Sequence, residues 1–105
     1  MRRLFQLATT AAVVFLIGAW PASAGGPVKA VNFDFKPKRM SVSRGDRVTW
    51  KNVEGTHTVT ARRGRFDKVI SGDERVSRRF RKPGTWRYIC RFHVDRGMKG
   101  KVIVR

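Results

Sequence analysis

Several things are nearly missing from this 105-residue chain. There is one Cys, which excludes an intramolecular disulfide and the paired thiols of a c-type haem attachment, and falls short of the four that an iron–sulfur cluster commonly takes. There are two His, so a metal site has few ligands to draw on. Acidic residues number 7 against 24 Lys and Arg, a net charge of +17 that points to an acidic partner or surface and is silent about fold. No stretch of ten or more residues beyond the N-terminal region has a helical period, and there is no internal repeat and no low-complexity segment. The length allows one small domain.

What is present begins with an export signal. Arg2 and Arg3 form a positive start, Ala11 to Trp20 is an apolar run, and Ala22-Ser23-Ala24 is a small-residue cleavage site. The run is short for a membrane span and is followed at once by Pro21. Residues 1–24 therefore read as a cleaved secretory signal, and residues 25–105 as the working domain, with no stable membrane insertion once the signal is removed. Arg2-Arg3-Leu4-Phe5 faintly resembles a twin-arginine signal, so the export route stays open. Without Arg2 and Arg3 the remaining 81 residues still carry a net +15.

Along that domain apolar and polar residues alternate between turn signals, which predicts strands. Val31, Phe33 and Phe35 share one face of a first strand ended by Pro37. Met40 and Val42 follow, then an Arg44-Gly45-Asp46 turn, then Val48 and Trp50 alternating with Arg47, Thr49 and Lys51. His57, Val59 and Ala61 come next. Arg62 to Glu74 reads as a long loop holding at most one helical turn. Val76 and Phe80 belong to a further strand; beyond the Lys82-Pro83-Gly84 turn, Trp86, Tyr88 and Cys90 fall on one face, and Val102 and Val104 alternate with Ile103. About seven short strands without helices predict an all-β sandwich.

The chemistry concentrates between Cys90 and Gly100. Cys90, His93 and Met98 place a thiolate, an imidazole and a thioether within nine residues, between two expected strands, and His57 lies at a strand end that can share the same rim. Thiolate and thioether favour copper, and a trigonal His₂Cys set with a distant Met is an electron-transfer copper geometry. Zinc is the main competitor, but it gains little from a thioether.

Over Val28 to Val104 the sequence resembles the cupredoxins, the small blue copper proteins, especially the compact plastocyanin, pseudoazurin and amicyanin group. The resemblance rests on Phe33-Asp34-Phe35-Lys36-Pro37, on Arg44 to Asn52, on His57-Thr58-Val59-Thr60, on Pro83 to Cys90 and on Gly97-Met98-Lys99-Gly100. It implies a Greek-key β-sandwich of about seven to eight strands, with His57, Cys90 and His93 as equatorial copper ligands, Met98 as the axial one, and His93 reaching the surface to pass the electron. Thr58 stands where plastocyanins have Asn, Val94 where the family varies, and Trp86 where Tyr is common. The residue beside a ligand helps tie the two ligand loops together, so Thr58 is the departure that bears most on the reduction potential.

The expected function is that of an exported, monomeric carrier of one electron, with no enzymatic step. A nucleophilic Cys/His enzyme is the catalytic rival, but no Asn or Asp stands out to orient His93. A copper-delivery protein of the same fold is the alternative, and a polyanion-binding sandwich, for which Arg62-Arg63-Gly64-Arg65 is a basic cluster, comes third. Nucleic acid is not expected, because aromatics such as Trp50 alternate into the core. On an expected hairpin from Arg75 to Arg91, Arg75, Arg79, Arg81, Arg87 and Arg91 share one solvated face that would steer an acidic redox partner; Arg78 breaks the parity and predicts a bulge or strand end there.

Overall fold

A computed structural model describes residues 26–105, so the signal-peptide reading of residues 1–24 lies outside the described residues. In chain order the strands are β1 (Val28–Val31), β2 (Asp34–Lys36), β3 (Arg39–Val42), β4 (Arg47–Asn52), β5 (Thr56–Ala61), β6 (Asp67–Ser71), β7 (Arg75–Arg79), β8 (Gly84–Ile89) and β9 (Lys99–Val104), with a single 3-10 turn, Val94–Arg96, between the last two. They form two sheets, ordered β2-β1-β4-β7 and β3-β9-β8-β5-β6. The chain repeatedly changes sheet, and two parallel pairings, β1 with β4 and β3 with β9, join segments far apart in sequence. The expected all-β sandwich is the fold, and among the described residues it has nine strands where about seven to eight were expected.

Alternation explains the core. Met40 and Val42, Val48, Trp50 and Asn52, His57, Val59 and Ala61, Tyr88, and Val102 and Val104 all point between the sheets and are buried, while most of their neighbours are exposed or half-buried; Thr58, between His57 and Val59, is the buried exception. Trp50 occupies the middle, with ring centroids 5.3 Å from Tyr88, 5.8 Å from Trp86 and 6.4 Å from Phe66 and Phe80. Tilted and edge-on pairs at such distances add to what burial of the rings contributes. Gly100 makes room for this packing: a Cβ there would collide with the Tyr88 hydroxyl and approach the Lys38 carbonyl to 2.9 Å. Burial pushes the Tyr88 phenol up to about 12, so it stays protonated.

Three local expectations change. Val31 and Phe33 do not continue one strand with Phe35; a turn at Asn32-Phe33 folds β2 back on β1, and Val28, Ala30 and Phe35 are the fully buried residues there. The expected long loop from Arg62 to Glu74 contains β6, which pairs with β5 from Thr56↔Ser71 to Thr60↔Asp67 and holds Ile70 in the core. The Arg75 to Arg91 hairpin does not form: β7 pairs with β4 and β8 with β5 and β9, so Arg75 and Arg79 lie on one sheet and Arg87 on the other. Of the bulge or strand end expected at Arg78, the strand end is what occurs: Arg78 pairs with Val48 one residue before the end of β7. Its guanidinium sits 5.2 Å from the Trp86 ring, 5.3 Å from Phe80 and 5.5 Å from Phe66, closing the sandwich with a cation over aromatic faces.

Candidate metal centre

The sandwich presents His57, Cys90 and His93 at one end. His57 is the second residue of β5, Cys90 follows β8 directly, and His93 opens the connection to β9. That connection is tied to itself: the Cys90 N–H donates to the Met98 carbonyl at 3.0 Å, and the His93 carbonyl accepts from Arg96 and Met98 at 2.9 and 3.3 Å. Gly97 ends the 3-10 turn in the left-handed region, at φ 83°, which returns the chain toward β9. Met98 is completely buried and is joined through its backbone to both Cys90 and His93.

The donor atoms converge. His57 Nδ1 and His93 Nδ1 are 3.2 Å apart, and Cys90 Sγ lies 3.7 Å from each. A point equidistant from all three lies about 2.1 Å from each, close to the length of metal bonds to imidazole and thiolate. His57 is set for this role by its other nitrogen, whose N–H donates to the Glu54 carbonyl at 2.8 Å and leaves Nδ1 with a free lone pair. Burial first, and the neighbouring His93 with it, lower the His57 pKa against the opposing pull of the Glu54 carbonyl, so protons compete weakly for that lone pair at neutral pH. The Cys90 sulfur accepts the Thr58 N–H at 3.4 Å, a contact that restrains its position. Two imidazoles, a thiolate and a neighbouring thioether fit copper better than zinc.

The comparisons with known proteins decide the family. Residues 25–105 match the copper-binding proteins of the plastocyanin/azurin family. The chain belongs to that family. It is 34% identical over 84 residues to amicyanin-alpha of Methylorubrum extorquens, covering 73% of this chain and 69% of that protein. Its fold superposes on an oxidised amicyanin variant with a TM-score of 0.70 at 26% identity, covering 83% of this chain and 88% of the other. A Cu(I) form of another amicyanin variant gives 0.67 at 27% identity, over 77% and 83% of the two chains. The cofactor of this cupredoxin is one type 1 copper ion.

Around the donors runs a closed circuit of hydrogen bonds that joins the two ligand strands of the cupredoxin. The Arg91 N–H donates to the Thr58 hydroxyl at 2.8 Å, Thr58 and Thr60 hydroxyls meet at 2.9 Å, and Thr60 reaches Asp67 at 2.7 Å. A carboxylate only accepts, so the single Thr60 proton goes to Asp67 and the Thr58 hydroxyl donates to Thr60. The Arg91 side chain returns to Asp67 at 3.0 and 3.2 Å and completes the circuit. The residue after His57 is thus tied to the residue after Cys90.

Sequence reading missed several of the residues around the site. Asp67 and Thr60 were hidden because β6 looked like loop, although Val69-Ile70 between Gly64 and Gly72 was a strand signal. Phe33, expected in the core, instead stands beside His93 with ring centroids 4.7 Å apart, and the Arg96 guanidinium lies 4.1 Å from the Phe33 ring. Gly55 supports His57 from below: at φ +79, a Cβ would come within 2.5 Å of Asn32 Oδ1 and 3.2 Å of His57 Nε2. The Glu54-Gly55 turn before a histidine was the available hint.

Proposed function

We propose that His57 Nδ1, Cys90 Sγ and His93 Nδ1 would hold the copper, that the Met98 thioether would be its weaker fourth donor, and that the chain is an exported carrier of single electrons with no enzymatic step. The observation that carries the ligand assignment is the triangle of donor atoms, already near bonding distance of a common point. When bound, copper supplies one-electron chemistry between Cu(I) and Cu(II). The protein's part is to hold the triangle still. The Glu54 carbonyl fixes His57, the Thr58 N–H restrains the sulfur, and the Arg91-Thr58-Thr60-Asp67 circuit locks the two ligand strands together, so neither charge state calls for large rearrangement.

His93 is the half-exposed member of the triad, while His57 and Cys90 are fully buried. Phe92 and Val94, 48% and 41% exposed, flank it with apolar surface that a partner can cover to exclude water. Export follows from the pattern of residues 1–24, and the carrier acts as a monomer toward a redox protein with an acidic docking surface, drawn in by the net positive charge.

The test is to add Cu(II) to residues 25–105 and record visible absorption and electron spin resonance. An intense thiolate-to-copper band with a narrow copper hyperfine splitting is expected, and its absence overturns the assignment. Electron self-exchange then distinguishes a carrier, which is fast, from a delivery protein, which hands its ion to an acceptor.

A further inference from the structure

The sheet registers line up cations in a way that the linear sequence hides. On the outer face of the five-stranded sheet, Arg39 is opposite Lys101 and Lys101 is opposite Arg87. Arg62, just beyond β5, extends the line by donating its N–H to the Arg87 carbonyl at 3.0 Å. On the other sheet Lys36 is opposite Lys29, Lys29 opposite Lys51, and Lys51 opposite Arg75. Each sheet therefore carries one straight row of four cations running across its strands. With strands about 4.8 Å apart, each row is about 14 Å long.

The fold does not demand these rows. Alternation requires outward polar residues, and like charges directly opposite one another destabilise a sheet. Among the described residues the two ion pairs, Lys38 with Asp34 and Arg91 with Asp67, include none of the eight. Several remaining carboxylates are occupied in turns, with Asp46 accepting the Ser43 N–H, Glu54 the Asn32 N–H and Glu74 the Ser71 N–H. The row on the five-stranded sheet also borders concave surface. A cleft of 550 Å³ lined by Arg62, Arg63, Thr85, Trp86 and Arg87 adjoins a second of 240 Å³ that shares Arg62 and Arg87 and extends to Arg39, Lys99 and Lys101.

We propose that the two rows are tracks for a linear polyanion, an acidic polysaccharide with carboxylate or sulfate groups on successive sugars, and that one protein molecule takes one chain on each face. A sugar unit has about the length of the inter-strand spacing, so successive anions fall opposite successive cations. A nucleic acid is disfavoured because neither row includes an exposed aromatic on which bases stack: Trp50 and Tyr88 are buried in the core, and Trp86, half-buried at the wall of the cleft, is packed against Trp50, Phe80 and Tyr88. A lipid surface is disfavoured because the exposed large apolar residues, Val53, Val69, Phe92 and Val94, lie outside both rows. The track on the five-stranded sheet is the tighter one, because three of its four cations are Arg, which grips sulfate and carboxylate with two donors, whereas the other row has three Lys. His93 lies at the end of the sandwich, so a protein held by its faces keeps its electron-transfer end free.

The test is calorimetric titration of the copper-loaded protein with a heparin hexasaccharide, long enough to follow one row. Two hexasaccharides per protein are expected. Replacing Arg39, Arg62, Arg87 and Lys101 by Gln leaves one, the weaker; replacing Lys29, Lys36, Lys51 and Arg75 by Gln leaves one, the tighter. Each loss also lowers the salt dependence of binding by up to about four charges. A control with Arg44, Arg65, Lys82 and Arg105 changed to Gln keeps two, and retention of the visible copper band shows that every variant is folded. The proposal is overturned if the control loses binding as the row variants do, if either row variant still takes two, or if oligo(dT) or phosphatidylglycerol vesicles bind the wild-type protein more tightly than the hexasaccharide.

Discussion

The end of the sandwich that holds copper and the two outer sheet faces treat charge in opposite ways. At the copper end Asp67 meets Arg91, the thiol sulfur accepts an N–H, and the His57 Nε2–H is held by the Glu54 carbonyl. On the faces, like charges are set side by side across neighbouring strands. Satisfied polar groups resist movement, as a redox centre needs, whereas aligned unpaired cations hold electrostatic potential for an incoming anion. In this chain the chemistry and the capacity for association are carried by different residues, and each can be removed without the other.

The sharpest break is Cys90→Ala, which is expected to abolish the visible band and cut copper affinity by orders of magnitude while leaving polysaccharide stoichiometry unchanged; parallel spectroscopy and calorimetry check both halves. Gly100→Ala tests whether the two regions share one core. Its Cβ would press on the Tyr88 ring and the Lys38 carbonyl, so urea unfolding should show a loss of about 1–3 kcal/mol, felt at both the site and the faces.

A smaller effect is expected from Asp67→Asn. The Thr60 hydroxyl, and then Arg91, hold the Asp67 carboxyl below its usual range in the folded chain. A group lowered in this way stabilises the fold at pH values above its unfolded value, and the contribution disappears as pH falls through the folded one. The stability gap between wild type and Asp67→Asn should therefore be complete at pH 7 and narrow as pH falls below about 3.9, the ordinary Asp value, with a small shift of the copper band from the loosened Thr58. A gap that stays constant over that range means the circuit does not depend on the Asp67 charge. Smallest of all is Arg96→Gln, which removes an exposed cation from the Phe33 face and should cost about 0.5–1 kcal/mol in urea unfolding, with polysaccharide binding unaffected.

Much of this was legible from local pattern. Period-2 alternation marked Val48 and Trp50, Val59 and Ala61, and Val102 and Val104 as inward, and the order of His57, Cys90, His93 and Met98 pointed to one metal. What escaped is what depends on pairing between distant segments. No local signal says that β7 joins β4 across more than twenty residues, yet that pairing separates Arg75 and Arg79 from Arg87 and divides one imagined basic face into two real ones. β6 escaped because only Ile70 of its five residues is buried, too little apolar content to stand out in a polar stretch.

The place of β9 has a consequence for how the protein is made. It lies between β3 and β8 in the sheet, paired with residues about sixty positions earlier on one side and with its nearest neighbour on the other. Neither strand can be completed until residues 99–104 have left the ribosome, and the segment that supplies Cys90, His93 and Met98 is closed by the same strand. Sheet completion and ligand assembly thus become one late, cooperative event. Without β9, β3 has no neighbour in the sheet and the segment carrying Cys90, His93 and Met98 has no strand to close it.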